Sequence, residues 1–391
     1  MLILKLVFWF CLAIIAWETL LFPAVLWLLA HLRPRPSLTA DITPLVSFII
    51  STHNEAAHIA DKMQNTLSLD YPREQLEILV ADDSSTDDTA NIVESFKEQR
   101  VSLIRQAEWR GKTAAQNLAA ASAKGEILLF SDATAFYNAP AVRALVRHFA
   151  DPKVGCVTGR VSLGNAAYAA ERGAATAAGF NIRLQYEQGI RSQQAAAISL
   201  FGATGCIYAV RRALYRPVAE DQVSDLVLPL MLLADGYRTV YEPEAVATLE
   251  RPVSAGRELT RRSRVVLQCL RAMGHMRRLL APWRAGLFIS IIAWYRLLRW
   301  LLPFFLLGCL ASNVALASNG GVFYFGALIA QLVLYSLALL GGIGELLNIK
   351  TRIFGLPFFF VWINVAAGLA IFHLLKGEKR VVWDTGRNVE R

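Results

Sequence analysis

Hydrophobic and polar positions follow three regimes along this 391-residue chain. Residues 6–30 are almost unbroken apolar sequence, interrupted by Glu18. A bilayer core of about 30 Å needs about 20 such residues, so a membrane-crossing helix is predicted. The run is longer than the roughly 7 to 15 apolar residues of a signal peptide, and no small-x-small cleavage site follows, so an uncleaved anchor is expected. Near the other end, residues 300–317, 322–341 and 354–375 form three more apolar runs, separated by SNGG and ELLNIKTR. These predict three helices.

The middle of the chain behaves differently. Between Arg33 and Trp283, short apolar runs alternate with longer helical stretches, the pattern of βαβ units and a mostly parallel sheet. Strands are expected at 45–50, 76–81, 101–104, 127–130, 154–159 and 239–242, and helices at 56–68, 86–98, 112–123 and 139–148. Residues 166–178 are rich in small side chains, as in a close-packed helix or a mobile segment. Residues 282–299 mix Trp283, Trp294 and Tyr295 with Arg284, Arg296 and Arg299, which suits an amphipathic helix in the headgroup layer. The expected organisation is a spanning helix at 1–32, an α/β domain at 33–281, an interfacial segment at 282–299, membrane helices at 300–376 and a tail at 377–391.

A content of 55% hydrophobic residues excludes an ordinary soluble enzyme, and the net charge of +9 is concentrated before the last apolar runs. There Arg257, Arg261, Arg262, Arg264, Arg271, Arg277, Arg278 and Arg284 have Glu258 as the only local acid. At a membrane junction such a cluster fits anionic lipid headgroups or a phosphorylated ligand better than nucleic acid. Arg33 and Arg35 after the first span favour a cytoplasmic middle region, in the cell or inner membrane, and Lys350 and Arg352 agree. Lys376, Lys379, Arg380 and Arg387 conflict with that count if every later run crosses. Either the last run does not fully cross, or the interfacial stretch hides another crossing. Glu18 is costly in hydrocarbon and needs a partner, for which Arg296 and Arg299 are candidates. Cys11, Cys156, Cys206, Cys269 and Cys309 have no metal-ligand spacing and read as reduced structural thiols.

The chemistry is densest in LEILVADDSSTDDT, where a buried strand runs into four aspartates. Ligands of open α/β sheets sit beyond the carboxyl ends of the strands, so Asp82 and Asp83 mark a ligand site. Asp87 and Asp88 suit a helix start equally well. No glycine follows the strand VSFII to let a pyrophosphate approach, and no G-x-x-x-x-G-K-S/T occurs, so dehydrogenase and P-loop chemistries are excluded. The GGIG at 341–344 lies in an apolar run and suits helix packing.

VSFIISTHNEAAHI, LEILVADDSSTDDT, GKTAAQNLAAASAKGEILLFSDATA, DPKVGCVTG, GATGCIYAVRR and VSDLVLPLMLLADGYRTVYEPEA occur in the order seen in family 2 glycosyltransferases. Nearly the entire chain resembles the membrane-integral branch, which includes chitin-oligosaccharide, hyaluronan and poly-N-acetylglucosamine synthases and ceramide glucosyltransferase. The resemblance implies a GT-A fold, a UDP-sugar donor, a divalent cation (Mg2+ or Mn2+), a lipid or oligosaccharide acceptor and inversion at the anomeric carbon.

By that resemblance, Asp132 in SDAT matches the first acid of the D-x-D metal motif, with Thr134 in place of the second. A turn residue would look the same. Asp82 and Asp83 match the pair that meets the uracil and ribose, and Thr52, Asn54 and Glu55 the region around the base; His53 and His58 read as loop and helix surface. Lys112 is placed to approach phosphate or a neighbouring carboxylate, although an exposed helix start is an alternative, and Asn117 is either its partner or a packed helix residue. A base must take the acceptor hydroxyl's proton, and Asp225 matches the final aspartate of the family's T-E-D pattern. Ser224 replaces the preceding acid; Glu220 and Asp221 are alternative bases, and a helix N-cap is the alternative for Asp225. RRSRVV resembles the Q-x-x-R-W element, with Arg261 for Gln, Val265 for Trp and Arg264 kept for diphosphate. Both arginines suit an interfacial role equally. The eroded motifs leave a second reading, a catalytically silent binding or assembly subunit.

Overall fold

The structure, a computed structural model, describes residues 1–164, 175–249, 255–277, 287–319, 321–347 and 354–377. The N-terminal apolar run folds as α1 (Leu2–Ala16), one π-helical turn (Trp17–Leu21) and α2 (Phe22–Leu32). The π turn carries Glu18 into the protein, where Oε1 lies 4.0 Å from Arg299 Nε. Arg299 is thus the partner of the two candidates.

Next come β1 (Val46–Thr52), α3 (Ala56–Leu67), β2 (Leu76–Asp82), α4 (Thr89–Glu94), β3 (Val101–Arg105), α5 (Lys112–Ser122), β4 (Ile127–Asp132), β5 (Ala135–Tyr137), α6 (Ala141–Val146) and β6 (Val154–Leu163). Then follow α7 (Ala175–Ala197), β7 (Ile207–Arg211), α8 (Ser224–Ala234), β8 (Arg238–Leu249) and α9 (Ala255–Met276). The described strands form one mixed sheet in the order β3-β2-β1-β4-β7-β6-β8-β5. β3, β2, β1 and β4 pair in parallel, and β7 inserts antiparallel between β4 and β6. Phe48 and Ile50 of β1 enter one buried cluster and Ile49 the other, so both faces are covered. A strand covered on both faces has no polar alternation, which explains the unbroken VSFII. All six expected strands are present, and β5 and β7 add to them. Of the small-residue stretch, 165–174 lie outside the described residues and 175–178 open α7.

The last elements are α10 (Leu287–Ala317), α11 (Val322–Leu346) and α12 (Gly355–Leu375). Among the described residues, four helical stretches are long and apolar enough to cross a membrane: Leu2–Leu32, Trp294–Ala317, Val322–Gly344 and Gly355–Leu375. The interfacial segment expected at 282–299 does not form a separate element. From Leu287 it is continuous with the next apolar run, because no glycine or proline interrupts it before Pro303; residues 282–286 lie outside the described residues. Gly341 serves helix packing, since a Cβ there would lie 2.7 Å from Phe358 Cβ.

α12 runs beside the basic α9: the Arg262 guanidinium sits 5.2 Å from the Phe359 ring centre, and Arg271 Nη2 donates to Gly377 O at 3.3 Å. Both ends of α12 therefore touch α9. α2 is fastened to the same body by Phe22, whose ring stacks on Tyr295 at 3.7 Å.

Under the sheet, Lys62 of α3 is fully buried, with Nζ bonded to Ala135 O and 4.3 Å from the Tyr137 ring centre. Burial pushes its ammonium down from 10.5 to about 7, against the pull of Cys206 and Asp132. Between those values the folded chain binds fewer protons than the unfolded one, so the penalty is full below pH 7 and fades towards 10.5. We expect the parent protein to gain thermal stability over Lys62→Met as pH rises from 7 to 10 in detergent. A gap in thermal midpoint that stays constant with pH contradicts this assignment.

Candidate functional site

Strand register gathers the acids. Thr52 of β1 stands beside Asp82 of β2, and Ser51 beside Asp132 of β4, at the carboxyl ends of the parallel strands. Asp82 is fully buried, accepts from Ser85 N at 3.2 Å and pairs with Arg105 Nε at 3.3 Å. Asp83 is also fully buried; Oδ1 accepts from Gln106 Nε2 at 2.7 Å and Arg110 N at 3.0 Å, and Oδ2 from Gly111 N at 2.8 Å. Burial pushes its carboxyl up, and the two backbone amides hold it back. In this geometry the pair orders the loop that delivers Lys112. Gly111 caps α5 at φ +97°, a conformation that favours glycine.

Asn54 adopts φ +53° and accepts through Oδ1 from Thr86 N at 2.8 Å. Glu55 is buried, and its backbone N donates to Thr89 Oγ1 at 2.9 Å. Thr52 Oγ1 is buried and has no hydrogen-bond partner among the described residues. His53 corrects the surface expectation: it is buried, its Nδ1 donates to Asp83 O at 2.7 Å, and its ring lies parallel to Trp109 at 4.5 Å. Trp109 is exposed next to the RGK sequence, the one local signal that an aromatic face borders this loop. Asp87 accepts from Ala56 N and Thr89 N, each at 3.1 Å, as a helix-start residue does.

The charged centre lies one strand over. Lys112 Nζ pairs with Asp132 and donates to Gly205 O at 3.0 Å. A Cβ on Gly205 would stand 2.6 Å from Asp225 Oδ2 and 3.7 Å from Lys112 Nζ, so the missing side chain leaves room for both groups near one point of the backbone. Asp225 occupies the first turn of α8, whose N-cap is Val223, so the capping alternative does not hold. Burial raises its carboxyl, Lys112, Arg191 and Arg296 lower it, and Asp132 adds to the rise. Burial works against the Lys112 ammonium too, yet Asp132 lifts it above its ordinary value. Ser224 turns away and donates to Gln116 Oε1 at 2.6 Å. Glu220 is engaged by Arg110, and Asn117 holds the loop at Tyr215 and Val218.

Among the described residues no group of three or more His, Cys, Asp and Glu could cage a cation. Asp132 is a single carboxylate, paired with Lys112, and a hard cation that takes one protein carboxylate keeps water and phosphate oxygens as its other ligands. Arg264 is half-buried on α9, and Arg261 lines a separate cavity with Val265 at the membrane junction.

Residues 47–218 match the profile of glycosyl transferase family 2. Over that span the sheet domain is similar to the family. A poly-β-1,6-N-acetyl-D-glucosamine synthase of Staphylococcus aureus is 27% identical over 239 residues, 58% of this chain and 54% of the relative. A β-monoglucosyldiacylglycerol synthase of Synechocystis is 32% identical over 140 residues, 34% of this chain and 29% of the relative. The chain thus spans about half or less of the length of these curated relatives. A mannosyltransferase of Pyrobaculum calidifontis, solved with GDP-Man and Mn2+, has the same fold, with a TM-score of 0.71, 22% identity, and coverage of 96% of this chain and 99% of that one. The family 2 profile ends before Asp225, Arg261 and Arg264, which rest on geometry and motif resemblance.

Two outcomes are expected for this centre. Gly205→Ala displaces Asp225 from Lys112 and lowers donor turnover by about tenfold or more; turnover within twofold of the parent sinks the steric assignment. Asp225→Asn removes a buried carboxylate whose raised value makes its charge costly in the folded state. That contribution is present below the unfolded value of 3.8 and lost as pH climbs through the raised one. The variant is therefore more heat-stable than the parent at pH 7, with the difference vanishing in acid.

Proposed function

We propose that this protein is a membrane-bound inverting glycosyltransferase moving a hexose or N-acetylhexosamine from a UDP-sugar to a lipid-linked or saccharide acceptor. The convergence of Asp132, Lys112 and Asp225 at the carboxyl edge of a family 2 sheet, beside helices apolar enough to cross a membrane, carries this reading. Thr52, Asn54, Glu55, Asp82 and Asp83 form the base end, where the unpartnered Thr52 hydroxyl and the His53–Trp109 stack offer a polar contact and a flat face. Lys112 meets the charge that develops on the leaving diphosphate, where preorganised cations act most strongly. Arg261 and Arg264 are assigned to the phosphate-bearing ligands. Asp225 takes the acceptor hydroxyl's proton from the side opposite the leaving group, which inverts the anomeric carbon. A divalent cation, when bound at Asp132, supplies Lewis-acid stabilisation of the diphosphate. The sheet domain is assigned to the cytoplasm, with anionic membrane lipid against the basic α9.

One observation favours a silent binding or assembly subunit instead: Lys112 is seated on the single acid left in the metal motif, next to Thr134. Transfer assays separate the two readings. Purified full-length protein is incubated with radiolabelled UDP-glucose, UDP-N-acetylglucosamine or GDP-mannose, Mg2+ or Mn2+, and membrane lipid extract. We expect transfer from one UDP-sugar, rising with pH through the Asp225 titration, and falling about 100-fold or more in Asp225→Asn and on chelation. Absence of transfer and of donor hydrolysis in every combination, with folded protein, overturns the reading. Preference for GDP-mannose overturns the uracil assignment alone.

A further inference from the structure

A second cavity, of about 300 Å³, lies between α7, α9, α10 and α12 at the junction of the sheet domain with the apolar helices. Among the described residues six arginines line it, namely Arg183, Arg191, Arg261, Arg262, Arg296 and Arg299, against one carboxylate, Glu187. Glu187 is shared by Arg183 at 2.8 Å and Arg299 at 2.7 Å, so one acid answers two of the cations that line the cavity. Arg191 reaches Thr204 Oγ1 at 3.2 Å, and a Cβ on Gly202 would lie 2.7 Å from Arg296 Nη1. Both guanidinium groups thus press on the 202–205 loop, whose other end holds Lys112 and Asp225. Burial, and then the like charge of Arg296, push the Arg191 guanidinium below its ordinary value. Like charges facing one cavity are stabilised by a multivalent anion, and guanidinium pairs bidentately with phosphate.

The remaining walls differ. Trp300, Ile363, Ala366 and Ala367 come from helices apolar enough to cross a membrane. Val265 stands on the same wall, where an aromatic side chain would offer a sugar a stacking face. The cavity therefore offers charge and hydrocarbon in place of a sugar platform. We propose that it binds a lipid phosphomonoester, with the phosphate among Arg191, Arg261 and Arg296 and the hydrocarbon against α12. This rests on the glycosyltransferase reading in one respect: the bound lipid is the acceptor, and its phosphate oxygen, with Asp225 taking the proton that the monoanion keeps there, bonds to the anomeric carbon as the bond from that carbon to the departing UDP breaks.

The test uses the full-length protein in detergent micelles and measures binding of farnesyl phosphate, farnesol, dioleoyl phosphatidic acid and inorganic phosphate. Farnesyl phosphate is expected to bind at least about tenfold more tightly than farnesol, and Arg191→Gln with Arg296→Gln to erase the difference. Arg261→Glu, at an exposed position, gives the same loss if the buried pair fails to fold. Equal binding of farnesyl phosphate and farnesol overturns the proposal, and so does farnesyl phosphate binding unchanged in Arg261→Glu. Tight phosphatidic acid selects a glycerolipid source over an isoprenoid one within the same chemistry. Phosphate-lipid binding without transfer from any donor leaves the cavity standing and removes the enzyme reading. Transfer to a neutral acceptor that farnesyl phosphate does not inhibit does the reverse.

Discussion

Charge balance around Lys112 is the constraint on which the rest of the site depends. Burial disfavours the ionised form of Asp225, and the nearby carboxylate of Asp132 disfavours it further, unless a cation offsets them. Lys112 is that cation, and its position is set from a distance. Asp83 holds the amides of Arg110 and Gly111, Gly111 turns the chain with positive φ, and α5 then starts at Lys112. The acid pair at the end of β2 therefore acts on the charged centre through the loop it orders, besides the base-end role proposed for it. Burial and backbone bonding at one strand end thus set the charge at the next.

Strands whose faces are both covered announce themselves as continuous apolar runs, so β1, β2 and β4 and the acids at their ends are legible in the sequence. β7 is not, because the small residues that open GATGCIYAVR suit close backbone approach and tight strand packing alike. Its strand character comes from pairing with β4 and β6, which are far away in the chain. His53 reads as a surface residue for the same reason: its burial depends on Trp109, brought over by the loop that Asp83 orders. Local sequence offers Glu220, Asp221 and Asp225 as equivalent acids. Only the fold engages Glu220 with Arg110 and brings Asp225 to Lys112. Likewise, the amphipathic character of 282–299 is visible, but its fusion with the adjoining apolar run depends on helix continuity that polarity alone does not report.

The loop 202–205 joins the two halves of the molecule. On one side the missing side chain of Gly205 admits Asp225 towards Lys112; on the other, the missing side chain of Gly202 admits Arg296 from α10. Arg191 of α7 braces the same loop through Thr204. The charged centre of the sheet domain and the arginine cavity at the membrane junction thus share one wall a few residues thick. Glu187 fixes that wall relative to the membrane helices, because it binds Arg299, which in turn faces Glu18 in the π turn of the first helix. Glu18, Arg299 and Glu187 thus link the N-terminal helix to α7, and Arg191 links α7 to the loop beside Asp225. The apolar helices position the site as well as anchor it, and the polar residues buried among them, costly in hydrocarbon, are the links through which they do so.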